Sequence, residues 1–211
     1  MNYNTYLFDF DYTLVDSSKG IVTCFKNVLN RHGYSEVTDE AIKRTIGKTL
    51  EDSFSILTGI TDKEKLASFR EEYSGESNIH MNINTFFFPE TLSALTAIKN
   101  KGARIGIIST KHRRTISGFL NSQLPEDWFD IIVGAEDVKL PKPHPEGLLA
   151  AMTHLKAPYG ETLYIGDSTI DAQTACDAGV DFVGVTSGMT TEKELSAYPA
   201  VKIIGSLAEL I

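Results

Sequence analysis

Thr162-Leu163-Tyr164-Ile165-Gly166-Asp167-Ser168-Thr169-Ile170-Asp171 is the stretch on which the reading of the fold turns. Its first four residues predict a strand, and Ile170 to Ala178 carries a helical pattern directly behind it. Between them stand Asp167, a residue type favoured at helix N-caps, and Asp171, an acid suited to a helix's positive end. The same order recurs on both sides. Upstream, Arg104 to Ile108 (strand) leads to Arg113 to Asn121 (helix), Phe129 to Val133 (strand) and Pro145 to His154 (helix). Downstream come Asp181 to Val185 (strand), Thr191 to Ala197 (helix) and Val201 to Ile204 (strand). Thr91 to Lys101 opens the series as a helix that Gly102 can close. Such alternation predicts parallel strands with crossover helices, and strands that are apolar throughout predict a sheet covered on both faces. The fold class is α/β, with a doubly wound parallel sheet.

Tyr6-Leu7-Phe8 supplies one more strand, and Asp9-Phe10-Asp11-Tyr12-Thr13 follows it directly. With a side-chain period of two, Asp9 and Asp11 leave the strand end on the same side. Two carboxylates that close perturb each other unless a cation intervenes, so the pair implies a metal, acid/base work or both. Parallel sheets collect chemistry at the carboxyl ends of their strands. Asp9, Ser109 and Asp167 each follow a strand. Residues 16–85 differ: helical patterns run over Ser18 to Arg31, Asp39 to Thr45, Leu50 to Leu57 and Asp62 to Tyr73, with no convincing strand. The expected organisation is an α/β core over 1–15 and 86–211 with a helical insertion over 16–85. Phe86-Phe87-Phe88 marks the re-entry and is read as core and hinge packing.

The 211 residues carry 20 Lys and Arg against 28 Asp and Glu, a net charge of −8. No basic stripe is available to neutralise phosphates, so nucleic acid is not expected as a partner. No apolar run reaches membrane-spanning length, and Met1-Asn2-Tyr3-Asn4-Thr5 lacks a signal peptide's basic region. Cys24 and Cys176 have no metal-ligand spacing and read as reduced, small hydrophobes. A cytoplasmic address is expected.

Four motifs occur in order: Asp9-x-Asp11-x-Thr13; Ser109; Lys142 in Lys142-Pro143-His144-Pro145; and Gly166-Asp167-(three residues)-Asp171. Over essentially the whole chain this resembles the haloacid-dehalogenase-like hydrolase superfamily, in its phosphatase branch. The resemblance implies a Rossmannoid core with a helical cap. It makes Asp9 the nucleophile that forms an aspartyl-phosphate. Asp11 protonates the leaving alcohol and then takes a proton from the hydrolytic water. The implied cofactor is Mg²⁺, held by Asp9, the Asp11 carbonyl and Asp167; Asp171 either ligates it or orients its water shell. Lys142 holds Asp9 and the phosphate together, and Ser109 and Thr110 meet the phosphoryl group.

The segment Arg44 to Phe54 looks like the cap's specificity loop, with Gly47 at a turn and Arg44 or Lys48 facing an anionic leaving group. Together with Asp16 to Ile21 and Ser109-Thr110-Lys111, it resembles the phosphoglycolate phosphatase and pyrophosphatase branch. The expected function is Mg²⁺-dependent hydrolysis of small anionic phosphate monoesters. The expected partner is a small phosphorylated metabolite, and the chain a monomer or homodimer. Alternatives are an inorganic pyrophosphatase, a nucleotidase stacking its base on Phe54 or Tyr34, a sugar phosphomutase of the β-phosphoglucomutase type, and a noncatalytic regulatory domain. Two positions depart from the pattern. Tyr12 replaces the usual glycine, which strains the turn if φ is positive, and Ser109 stands where threonine is also common. Thr13 is read as structural and His144 as solvated.

Overall fold

The computed structural model describes residues 3–211. Its contacts divide the chain into two compact units: residues up to Val15 together with Phe87–Ile211, and Asp16–Phe86.

The smaller unit is helical: α1 (Ser18–Arg31), α2 (Asp39–Lys43), α3 (Leu50–Thr58) and α4 (Lys63–His80). Thr38, Thr49 and Asp62 each accept a main-chain N–H in the first turn that follows, which fixes where α2, α3 and α4 begin. Its core is aromatic, with the Phe25 ring 4.7 Å from Phe54 and 4.9 Å from Tyr73, and Phe54 5.1 Å from Phe69. Phe54 is fully buried there and offers no surface for stacking a base. The sequence pattern ends α4 at Tyr73, but the helix continues to His80. A tertiary polar anchor overrides the weak helix formers Ser74, Gly75 and Ser77. Buried Glu76 accepts from Asn27 at 2.5 Å and pairs with Arg31, tying the last turns of α4 to α1.

Two short strands, β2 (Val15–Asp16) and β3 (Phe86–Phe87), pair with each other where the chain passes between units. Phe86 is 62% exposed, not packed, and only Phe87 reaches the core, with its ring 5.0 Å from Phe119.

In the larger unit, β1 (Thr5–Phe8), β4 (Arg104–Ile108), β5 (Ile131–Val133), β6 (Thr162–Gly166), β7 (Asp181–Val185) and β8 (Lys202–Ile204) form one sheet. The order is β5-β4-β1-β6-β7-β8, and every neighbouring pair is parallel. Successive residues of each strand feed opposite cores. Tyr6, Phe8, Leu163, Ile165, Val183 and Val185 meet α5 (Thr91–Asn100) and α6 (Arg113–Gln123). Leu7, Tyr164 and Phe182 meet α7 (Glu146–Leu155) and α8 (Thr169–Ala178). That double covering is why the strands read as apolar throughout.

Two elements of the larger unit differ from their sequence pattern, and so does one cysteine. β5 starts at Ile131, not Phe129, because the Asp130 carboxylate takes the Ile105 N–H at 2.8 Å in place of a strand carbonyl. The helix expected over Thr191 to Ala197 is only α9 (Glu192–Leu195), a single turn closed by a Thr191–Glu194 capping box. Cys176 lies exposed on α8, Cys24 is buried, and neither is in a disulfide. Among the described residues, no helix is long and apolar enough to cross a membrane.

Chain order places the site. From β1 the chain builds outward through β4 and β5, then returns past β1 to build β6, β7 and β8 on the other side. Open parallel sheets leave a crevice at such a reversal. Phe8 pairs with both Ile107 and Ile165, so the residues just past β4, β1 and β6 emerge side by side on one rim.

Candidate active site

Asp9 leaves β1 with its N–H bonded to Ile165 O at 2.8 Å, and the residue is 3% exposed. Beyond it the chain turns tightly: Leu14 N and Val15 N both donate to Phe10 O, and Tyr12 N donates to Val15 O at 2.8 Å. Tyr12 sits in this turn at φ 61°, a left-handed conformation costing a non-glycine residue about 1 kcal/mol. Burial of its ring offsets that cost. Ser187 Oγ donates to the Tyr12 carbonyl and holds the turn from the segment after β7.

Lys142 is the hub of the rim. Its Nζ donates to Asp9 Oδ1 at 2.8 Å and to Asp171 Oδ1 at 2.6 Å, and it also reaches Tyr164 Oη at 3.1 Å and Ile108 O at 3.2 Å. Burial pulls the ammonium's pKa down, but the Asp171 and Asp9 carboxylates outweigh it and hold the pKa well above the ordinary lysine value. Lys142 therefore stays charged. Asp171 in turn is saturated by protein donors: Tyr164 Oη at 2.9 Å on Oδ1, and Ser168 N and Oγ at 3.2 and 2.5 Å on Oδ2. The Ser168–Asp171 pair is a capping box that starts α8. Gly166 leaves room for it, since a Cβ there would lie 2.4 Å from the Asp171 Cβ.

Asp9 and Asp167 remain short of positive charge. Burial is the largest cause raising Asp9 from the ordinary carboxylate value to about 7; Lys142 opposes it, while Asp171 and Asp11 add to it. Asp167 is driven well above the usual range by burial and by the neighbouring Asp171 and Asp9 charges. Thr13 Oγ1 gives it only a long contact, at 3.5 Å. Asp9, Asp167 and Asp171 bring carboxylate oxygens within 4.8 Å of one another. An all-oxygen, underneutralised cluster of this kind suits a hard divalent cation such as Mg²⁺.

Ser109 follows β4, buried, and its Oγ accepts the Lys111 N–H at 3.2 Å, which leaves the hydroxyl proton available to an anion. Thr110 is half-buried and lines a small cavity beside Ser109 and Lys142. Arg44 and Lys48 belong to the helical unit. Arg44 is exposed and paired with Glu40 at 3.2 Å, and Lys48 is half-buried with its N–H on Thr45 O. His144 is exposed, its Nδ1 accepting the Glu146 N–H.

Four contributors escape the motif reading. Ser168 was legible as the Ser-x-x-Asp capping pattern. Tyr164 was legible as a phenol in an otherwise apolar buried strand, where its hydroxyl needs a partner. Lys111, quoted above with Ser109 and Thr110, carries no local signal of the contact its Nζ makes with Asp11 Oδ1 at 2.5 Å. Gly188 carries none either. A Cβ there would lie 1.9 Å from Asp167 Oδ2, so the bare backbone is what lets Asp167 occupy its place.

Comparison with known proteins bears on the family. A family model described as haloacid dehalogenase-like hydrolase matches residues 6–185. A Bacteroides fragilis crystal structure described as a haloacid dehalogenase-like hydrolase superposes with a TM-score of 0.98 at 64% identity, covering 99% of this chain and 100% of that one. The pyrophosphatase PpaX of Bacillus mycoides is 30% identical over 100% of this chain and 96% of its own length. A Lactobacillus plantarum structure assigned as a phosphoglycolate phosphatase shares the fold at TM-score 0.88 and 22% identity, over 100% and 98% of the two chains.

Proposed function

From the premise that the chain belongs to the haloacid dehalogenase-like hydrolase family, we propose that it is a phosphatase for small anionic phosphate monoesters, acting through a phosphorylated Asp9. The observation that carries the reading is the buried Lys142 ammonium, bonded at once to Asp9 and Asp171 beside an underneutralised Asp167. A carboxylate attacking an anionic phosphate needs fixed positive charge beside both, and Lys142 supplies it without titrating.

In the first step an Asp9 oxygen bonds to phosphorus as the ester P–O bond breaks, and the departing oxygen takes a proton from Asp11. Ser109 donates its hydroxyl proton to a phosphoryl oxygen. In the second step water attacks the same phosphorus, Asp11 takes its proton, and the aspartyl P–O bond breaks to release inorganic phosphate and restore Asp9. Asp9, Asp167 and the Asp11 main-chain carbonyl would hold Mg²⁺, with Asp171 keeping Lys142 and Ser168 in place. When bound, the ion neutralises the acidic cluster and the phosphoryl oxygens. Pyrophosphate is the second substrate reading, favoured by the relatives named pyrophosphatase PpaX.

Phosphate release is the test, across 2-phosphoglycolate, pyrophosphate, nucleoside monophosphates, sugar phosphates and p-nitrophenyl phosphate, with and without Mg²⁺. One dominant Mg²⁺-dependent substrate among the small anions is expected. Silence across the whole panel sinks the phosphatase reading.

Gly188→Ala tests the cluster from outside the motifs. The added methyl meets the end of the Asp167 side chain, which can rotate away, so the stability cost is expected to stay below about 2 kcal/mol. Activity is expected to fall about 10- to 100-fold, with a matching rise in the Mg²⁺ needed for half-maximal rate. An unchanged Mg²⁺ requirement in Gly188→Ala would argue against Asp167 as a ligand.

A further inference from the structure

We propose that Lys111 is a positioning residue for the proton-transferring carboxylate Asp11, an inference that rests on the function proposed above. Two lysines of the rim pair with aspartates. One, Lys142 with Asp9, serves the nucleophile. The other, Lys111, sets its Nζ 2.5 Å from Asp11 Oδ1, with the two side chains only 10% and 11% exposed. A pair so shielded from solvent holds its geometry, unlike the mobile ion pairs of an open surface.

Lys111 is fixed from both ends. Its N–H donates to Ser109 Oγ at 3.2 Å, its carbonyl accepts the Ala135 N–H at 3.1 Å, and its ammonium lies 5.5 Å from the centre of the Phe10 ring. The three-residue segment Ser109-Thr110-Lys111 therefore does two things at once. It presents a hydroxyl to the phosphoryl group and ties down the carboxylate that serves the leaving group. Asp11 itself sits in a turn whose next residue is held at φ 61°, so its backbone is fixed. The tie to Lys111 restricts rotation of its carboxyl group. Proton transfer depends on the acid lying within hydrogen-bond reach of the departing oxygen, so a loosened carboxyl group costs rate in proportion to how much the leaving group needs the proton.

That dependence gives the test. A series of aryl phosphates is ordered by the acidity of the departing phenol, and phenol release is followed in a single turnover for native protein, Lys111→Met, Lys111→Arg and Asp11→Asn. Lys111→Met is expected to slow release of the least acidic phenol about 100-fold. It should slow p-nitrophenolate release about 10-fold less than that, with KM moved less than 3-fold. Lys111→Arg, which keeps the charge, should recover part of the loss and covers the case in which Lys111→Met folds poorly. Equal slowing across the series in Lys111→Met, beside a steep series in Asp11→Asn, overturns the positioning role alone. A flat series in Asp11→Asn as well overturns the assignment of Asp11 as the acid, and the proposal with it. An effect confined to KM overturns it in favour of substrate binding.

Discussion

Asp9→Asn is expected to abolish turnover, by about 10⁴-fold or more, while leaving the fold intact. The amide keeps the shape of the carboxylate and still offers Lys142 an acceptor oxygen at the 2.8 Å contact, so the rim has no reason to collapse. It lacks the anionic oxygen that bonds to phosphorus. The same substitution has a second readout in metal-free protein. Asp9 is buried, and its folded pKa is about 7 against an unfolded value of 3.8. Between those two values the folded chain holds a proton that the unfolded chain has released. Stability of the native protein in chelator therefore falls as pH rises from about 4 to 7. Asp9→Asn removes that contribution, so its denaturation midpoint should decline less over the same interval. Urea unfolding across the pH range, paired with phosphate release, measures both. Residual turnover above about 1% of native would remove Asp9 from the nucleophile's place, whatever the stability profile shows.

The larger unit was legible because its strands and helices obey one grammar repeated along the chain, and each strand is apolar from end to end. Asp9, Ser109 and Asp167 were legible for the same reason, each being the first or second polar group after such a strand. What was not legible depends on contacts between distant residues. The final turns of α4 exist because Glu76 finds Arg31 and Asn27 on another helix, which no local propensity reveals. Lys111 and Gly188 matter only because Asp11 and Asp167 lie against them, 100 and 21 residues away along the chain. Tyr12 shows the converse. Its departure from glycine was visible in sequence, but whether it strained the turn depended on a φ angle, and on a ring burial that compensates for it.

Lys142→Met is the substitution expected to cost most in stability, with a large loss of rate beside it. Methionine fills much of the lysine's volume, so the effect is one of charge and not of a cavity. The ammonium is the shared counter-ion of two buried carboxylates, and its loss leaves Asp9 and Asp171 facing each other with no cation between them. Removing one partner of a buried ion pair costs about 3–5 kcal/mol. The deficit has a pH signature. Lys142 is the group that opposes burial at Asp9, so without it the folded Asp9 pKa rises beyond about 7. The folded variant then keeps its proton to a higher pH than the native protein does, and its stability continues to fall after the native curve has levelled. In chelator the gap between the two proteins should widen from pH 6 to pH 8. Saturating Mg²⁺ should narrow it, because a cation among the same oxygens replaces part of the missing charge. Rate should not recover with stability: without a fixed cation joining Asp9 to the incoming phosphate, kcat/KM is expected to remain about 10³-fold below native even where Mg²⁺ has restored the fold. A variant less than 1 kcal/mol below native at pH 8 would show that Lys142 is not the buried counter-ion of the pair. Recovery of rate in step with stability would show that its charge serves the fold and not the chemistry.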